Sequence, residues 1–97
     1  MLHIISSSPF QSQIFQQCLP LIAKNDAILL IQDAVVAATG QNSSLDGIKK
    51  SGVKIYLLVS DLSARGLGGR INPDVEPVDY KGFVALTVEH ETQMKWG

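Results

Sequence analysis

The stretch Ala27-Ile28-Leu29-Leu30-Ile31, running on into Gln32-Asp33 and then Ala34-Val35-Val36-Ala37-Ala38, decides the fold. Five consecutive apolar residues lack the alternation of a strand with one wet face. They suit a strand covered on both sides, as in a parallel sheet held between helices. Asp33 stands where a helix N-cap belongs, because its carboxylate can accept from the free amides of a first turn. A buried strand handing over to a capped helix is the repeating unit of an α/β domain.

Upstream, Leu2-His3-Ile4-Ile5 forms a first short strand and Ser6-Ser7-Ser8 a polar turn. Ser8-Pro9-Phe10-Gln11 has the form of a capping box, with proline at the first helical position. The predicted helix sets Phe10, Ile14, Cys18, Leu21 and Ile22 on one inward stripe. Pro20 removes a bond to the Gln16 carbonyl, so a kink or an end is expected near Leu19.

Downstream, the helix after Asp33 is expected to stop by Gly40. A short helix over Leu45–Lys50, capped by Ser44 and ended by Gly52, would place two lysines at the negative end of its dipole. Val53–Val59 is the second strong strand, and Ser60-Asp61 leads into one or two turns ended by Gly66. Val75–Val78 makes a fourth strand, and Pro77 confines it to a short or edge position. Asp79 caps a last helix from Tyr80 to about Glu89, with Tyr80, Phe83, Val84, Thr87 and Val88 facing inward. Gln93–Trp96 adds a terminal strand. The pattern predicts a single α/β domain over residues 1–97, a three-layer α/β/α sandwich with an open, mainly parallel sheet of about five strands.

Composition bounds the function. A chain of 97 residues buries roughly 60–68% of its unfolded surface, enough for one modest core. Charged residues make up 18% against about a quarter in ordinary domains, which hints at apolar surface covered by another subunit. Net charge is −1 and Lys49-Lys50 is the only adjacent basic pair, so direct nucleic-acid binding is not expected. One cysteine cannot form an internal disulfide, no signal peptide is read ahead of the first strand, and no apolar run spans a membrane. A cytoplasmic protein is expected.

Cys18 is the only side chain able to carry a persulfide or act as a thiol nucleophile. By position it reads as an apolar filler on the inward stripe. Gly66-Leu67-Gly68-Gly69-Arg70 lacks the preceding strand and following long helix of a phosphate-binding fingerprint and reads as a plain loop. Asp33 and Asp61 both follow buried strands, at the edge where open α/β folds bind ligands, and with Ser6–Ser8 would border one crevice. Each is equally explained as an N-cap. His3 and His90 have no ligand spacing, so neither a metal nor a cofactor is predicted. Arg65 is a helix-end cation also suited to a partner contact. Trp96 must either dock on its own sheet or fill a neighbour's pocket.

Taken in order, Met1-Leu2-His3, Ser8-Pro9-Phe10, Asp26 to Val35 with Gln32-Asp33-Ala34, Asp61-Leu62-Ser63-Ala64-Arg65-Gly66-Leu67, Asp79-Tyr80, Phe83-Val84 with Leu86-Thr87, and Gln93-Met94-Lys95-Trp96 resemble the TusB/DsrH family. The resemblance runs from Met1 to Trp96. Its specific part is Leu-x-Gln-Asp joined to Asp-Leu-x-Ala-Arg-Gly. It implies a small α/β subunit that assembles with TusC/DsrF-like and TusD/DsrE-like subunits into a heterohexamer. That complex relays persulfide sulfur from a cysteine desulfurase, through a TusA-like carrier, towards a TusE/DsrC-like carrier and the thiouridylase MnmA, ending in 2-thiouridine at the tRNA wobble position. The main acceptor cysteine belongs to the TusD or DsrE subunit, so this chain would be a docking subunit, with Asp33, Asp61, Arg65 and Trp96 as partner contacts. The DsrH branch carries a first-helix cysteine at the place of Cys18. The resemblance therefore also allows a subunit of dissimilatory sulfur oxidation in which Cys18 is a persulfide-carrying or auxiliary thiol.

Overall fold

The computed structural model describes residues 1–10, 13–39, 45–66 and 71–96. Its centre is a five-stranded sheet of β1 (Leu2–Ile5), β2 (Ala27–Leu30), β3 (Lys54–Leu58), β4 (Val75–Val78) and β5 (Gln93–Trp96), in the order β4-β3-β2-β1-β5. All four neighbouring pairs are parallel, with Leu2 registered on both Ala27 and Gln93, and Ala27 on Lys54. Every residue of β1 and β2 is buried, which is why these segments carry no polar alternation. Pro77 lies on β4, an edge strand, as its missing amide requires.

Alternation along the strands sorts their side chains onto two faces. One holds Ile5, Ile28, Leu30, Ile55 and Leu57 against Phe15, Cys18, Val35, Leu45, Ile48 and Leu62. The other holds Leu2, Ile4, Ala27 and Leu29 against Leu86, with Tyr56, Leu58 and Phe83 partly buried beside them. Strands β1 to β4 step in one direction, so right-handed crossovers put their connections on the first face. These are α1 (Ile14–Cys18), α2 (Asp46–Lys50), α3 (Val59–Ala64) and the 3-10 segments Leu19–Leu21 and Gln32–Ala38. The return from β4 to β5 reverses direction, and α4 (Tyr80–Glu89) therefore crosses the second face.

Several expectations are corrected. Regular helix begins at Ile14, and Ser8 Oγ accepts from the Phe10 amide two residues on, closing a local turn in place of a helix cap. Phe10 is 67% exposed, Leu21 is exposed, and Phe15 takes the inward place beside Cys18; Gln11 lies outside the described residues. At Pro20 the α-helix does give way, ending at Cys18 and tightening to 3-10 over Leu19–Leu21. Asp33 does not cap the segment after β2, which is 3-10 and is entered from Ile31 with no side-chain cap. Gly40, Ser44 and the Leu67–Arg70 stretch lie outside the described residues. Gly52 and Gly66 end their helices at φ +79° and +68°.

Asp79 caps α4 as expected, its Oδ1 accepting from the Gly82 amide at 2.9 Å. The inward face of that helix is another matter. Leu86 is its one buried side chain, worth about 2 kcal/mol of apolar burial. Phe83 and Thr87 are half-buried, while Tyr80 is 74%, Val84 42% and Val88 76% exposed. A single helix over a five-stranded face buries its 83/86 side and leaves its 80/84/88 side to solvent.

Candidate functional site

At the carboxyl ends of β2 and β3, the two most distinctive sequence stretches meet. Gln32 takes φ +50°, a left-handed conformation that costs a residue with a Cβ about 1 kcal/mol or more. Its amide donates to Asp61 Oδ2 at 2.7 Å, so the carboxylate expected to cap its own helix instead holds the turn after the neighbouring strand. One position on, Asp33 Oδ1 accepts from Arg65 Nε at 3.1 Å and Nη2 at 2.9 Å. Arg65 Nη1 donates to the Asp61 carbonyl at 3.1 Å, which satisfies the end of α3. Leu-x-Gln-Asp and Asp-x-x-x-Arg thus form one brace between β2 and β3. Three of the predicted contact residues, Asp33, Asp61 and Arg65, bond to one another or to each other's backbone. Asp33 stays more than half exposed, so the brace presents an ion-paired carboxylate and guanidinium outward.

Ser6 lies at the end of β1 and belongs to a different junction. Its amide and its hydroxyl both donate to the Trp96 carbonyl, at 3.1 and 3.2 Å. The Trp96 ring packs on its own domain, partly buried against the first core, and its Nε1–H donates to His3 Nδ1 at 3.1 Å. An indole N–H can only donate, so His3 Nδ1 is the acceptor and the ring proton sits on Nε2. That Nε2–H donates to Asp26 Oδ2 at 2.8 Å. Asp26 also accepts from the Ala23 amide and from the N-terminal amine, each at 2.9 Å. Burial would raise the Asp26 pKa, but the Ala23 amide, His3 and the terminal ammonium outweigh it and hold it at about 2. Sequence reasoning missed this chain of bonds. The available signal was His3 itself, a polar residue between Leu2 and Ile4 in a buried strand, which must find partners on both ring nitrogens.

Cys18 is fully buried in the first core. Burial, reinforced by the Asp26 charge, pushes its thiol up to about 11, so at neutral pH it is protonated and enclosed. At the other end of the sheet a cleft of about 280 Å³ opens among Lys24, Asp26, Lys54, Tyr56, Glu89 and His90, with cations and carboxylates mixed. No group of three or more metal-ligating side chains gathers among the described residues, and no helix there is long and apolar enough to cross a membrane.

Comparison with known proteins agrees with this architecture. The chain superposes on the Escherichia coli ychN protein with a TM-score of 0.78 at 18% identity, over 97% of both chains. It also superposes on MTH1491 from Methanobacterium thermoautotrophicum with a TM-score of 0.70, over 97% of this chain and 95% of that one. At such identities the likeness speaks for the fold. Sequence goes further. The chain is 45% identical over 96 residues to Protein TusB of Escherichia coli, covering 99% of this chain and all of the relative, and 44% identical to Protein TusB of Shigella boydii. Residues 7–93 match the family described as DsrH like protein. With both matches spanning nearly its full length, this chain belongs to the TusB/DsrH family.

Proposed function

We propose that this chain is the docking subunit of a sulfur-relay assembly that passes persulfide sulfur towards 2-thiolation of the tRNA wobble uridine. Its partners would be TusC-like and TusD-like subunits in a heterohexamer, with TusA-like and TusE-like carriers meeting the assembly. The chain would have no catalytic activity alone and would act in the cytoplasm. The observation that carries this reading is Cys18. A persulfide acceptor attacks as an exposed thiolate, whereas this thiol is wholly enclosed and burial pushes its pKa up to about 11. The same burial weighs against the alternative in which Cys18 carries sulfur in a DsrH-type oxidation complex. Sulfur transfer is then left to the partner subunits, and this chain contributes surface. The outward, ion-paired face of the Asp33–Arg65 brace, with Asp61 holding the turn beneath it, is the contact region we assign to a partner.

Co-expression with TusC-like and TusD-like chains, followed by size-exclusion chromatography and assay of tRNA 2-thiouridine, tests the reading. A stable three-component complex is expected, and Cys18→Ala should leave both assembly and thiolation intact. A complex that forms normally but loses thiolation with Cys18→Ala would assign sulfur transfer to this chain and sink the docking role. Absence of any complex would sink the assembly itself.

A further inference from the structure

His3 is a buried titratable group with no part in the contact region assigned above. It is fully enclosed on β1, in register with Ile28 of β2 on one side and Met94 of β5 on the other. Its two ring nitrogens stand in opposite surroundings. Nε2 meets the Asp26 carboxylate at 2.8 Å, and Asp26 in turn holds the Met1 ammonium and the Ala23 amide. Nδ1 meets the Trp96 indole N–H at 3.1 Å and has no other hydrogen-bond partner among the described residues. Few other charges bear on the ring. The Cys18 thiol lies near enough to Asp26 to feel its charge, and α1 has no charged residue. Lys24, exposed two residues before Asp26, makes no ion pair among the described residues. Lys95 alternates with Trp96 along β5 and so points to the other face of the sheet.

Acid acts on these two nitrogens unequally. With its pKa at about 2, Asp26 is still a carboxylate when an imidazole titrates, and it keeps the Nε2 proton. A second ring proton can therefore bind only at the Nδ1 lone pair. Two N–H groups then face each other across 3.1 Å, both removed from water and neither with an acceptor. The rings offer no relief. Their planes are tilted by 30° with centroids 6.3 Å apart, and the indole turns its positive N–H edge to His3 rather than its negative face. His3 is locked in an interior strand, whereas Trp96 ends an edge strand and is only partly buried, so Trp96 is the side chain able to leave. Its backbone stays, because the Trp96 carbonyl accepts from the Ser6 amide and hydroxyl. We infer that His3 and Trp96 form a proton-operated latch, in which protonation of His3 Nδ1 expels the Trp96 ring from the first core while the sheet persists. Deprotonation restores the acceptor and returns the ring. The latch makes the β5 edge of the molecule responsive to pH, and it does not depend on the sulfur-relay reading.

The chain has one tryptophan, so fluorescence reads Trp96 alone. The full chain is titrated between roughly pH 8 and 5, the span in which imidazoles change charge. One step is expected, in which the emission maximum moves to the red and acrylamide quenching rises while far-UV circular dichroism holds. Nitrogen-15 spectra should show His3 gaining its Nδ1 proton in the same step. His3→Gln can accept from Trp96 through its side-chain oxygen and donate to Asp26 through its amide without titrating, so it should keep Trp96 enclosed throughout. His90→Gln, at the other histidine, should leave the step unchanged. The latch is overturned if His3 stays singly protonated across the range, or if it gains the proton while Trp96 remains shielded. Circular dichroism lost in the same step overturns it too, since that is ordinary acid unfolding. So does a step that survives in His3→Gln or vanishes in His90→Gln. Should His3→Gln not fold, the joint titration of His3 and Trp96 in the native chain still decides.

Discussion

Trp96 Nε1 donates to His3 Nδ1 across 3.1 Å, tying the last strand of the sheet to the first through their side chains. The same bond selects the Nε2–H tautomer of His3, which in turn donates to Asp26. Trp96→Phe keeps most of the ring contact and removes the donor. His3, fully buried, is left with an unmet acceptor, at a cost of about 1–3 kcal/mol in urea unfolding. Nitrogen-15 correlation spectra of the native protein should show the proton on His3 Nε2. A proton on Nδ1 would contradict the bonding scheme.

Asp26 links stability to acid. Its pKa is lowered in the folded chain to about 2, against about 3.8 when free, so its contribution is complete above roughly pH 4 and lost as pH falls through 2. The size of that contribution is on the order of 2 kcal/mol. Asp26→Asn should lower stability at pH 7 by a similar amount and flatten the decline between pH 4 and 2. An unchanged acid limb in the variant would place the sensitive carboxylate elsewhere.

The sheet was legible because its central strands are buried on both faces. Ala27–Leu30 is an unbroken apolar run and Leu2–Ile5 is interrupted only by His3; such strands arise where no face is wet, and a parallel sheet follows from that. The α4 surface was misread for a related reason. Periodicity reports which residues are apolar, not whether they meet a core or a partner. Tyr80, Val84 and Val88 fit an inward stripe as well as Phe83 and Leu86 do. At the brace, Asp33 and Asp61 were correctly located at the strand ends, but caps are local and their real partners are not. Arg65 lies 32 residues from Asp33, and Gln32 lies 29 from Asp61, separations over which spacing carries no signal.

Backbone conformation gives predictions of opposite sign. Gln32 occupies φ +50° with a Cβ, so Gln32→Gly should be neutral or stabilising by up to about 1 kcal/mol, the relief of strain exceeding the added chain entropy. Gly52 and Gly66 have positive φ, and a Cβ added at either would meet nothing within 4 Å. Gly52→Ala and Gly66→Ala should therefore each cost about 1–2 kcal/mol through φ alone. Thermal or urea unfolding reads all three. A clear loss in Gln32→Gly would mean that the Gln32 side chain itself holds the turn.

The Asp33–Arg65 pair should matter little to stability. Asp33 is 59% exposed, and a double-mutant cycle through Asp33→Asn and Arg65→Lys should return a coupling below about 1 kcal/mol. Lysine cannot reproduce the two bonds that the guanidinium makes to Asp33 together with its third to the Asp61 carbonyl. If the brace shapes a partner contact, Arg65→Lys should weaken capture of TusC-like or TusD-like chains by tenfold or more while the melting temperature barely moves. Equal losses of binding and stability would reduce the brace to a structural tie.

Cys18 offers the sharpest contrast between an enclosed and a working thiol. Its pKa is raised to about 11 from 9.0, so the neutral form is favoured by folding, and that stability is present below pH 9 and lost as pH climbs towards 11. At pH 7.5 iodoacetamide should leave the native protein unmodified over hours and add one adduct promptly in denaturant, as mass spectrometry would show. Cys18→Ala should cost about 1–2 kcal/mol for the lost sulfur contacts, and Cys18→Ser more, because a hydroxyl there must find a partner among Phe15 and the apolar side chains of the first core. Prompt alkylation of the folded chain would mean that the first helix opens often enough to expose the sulfur.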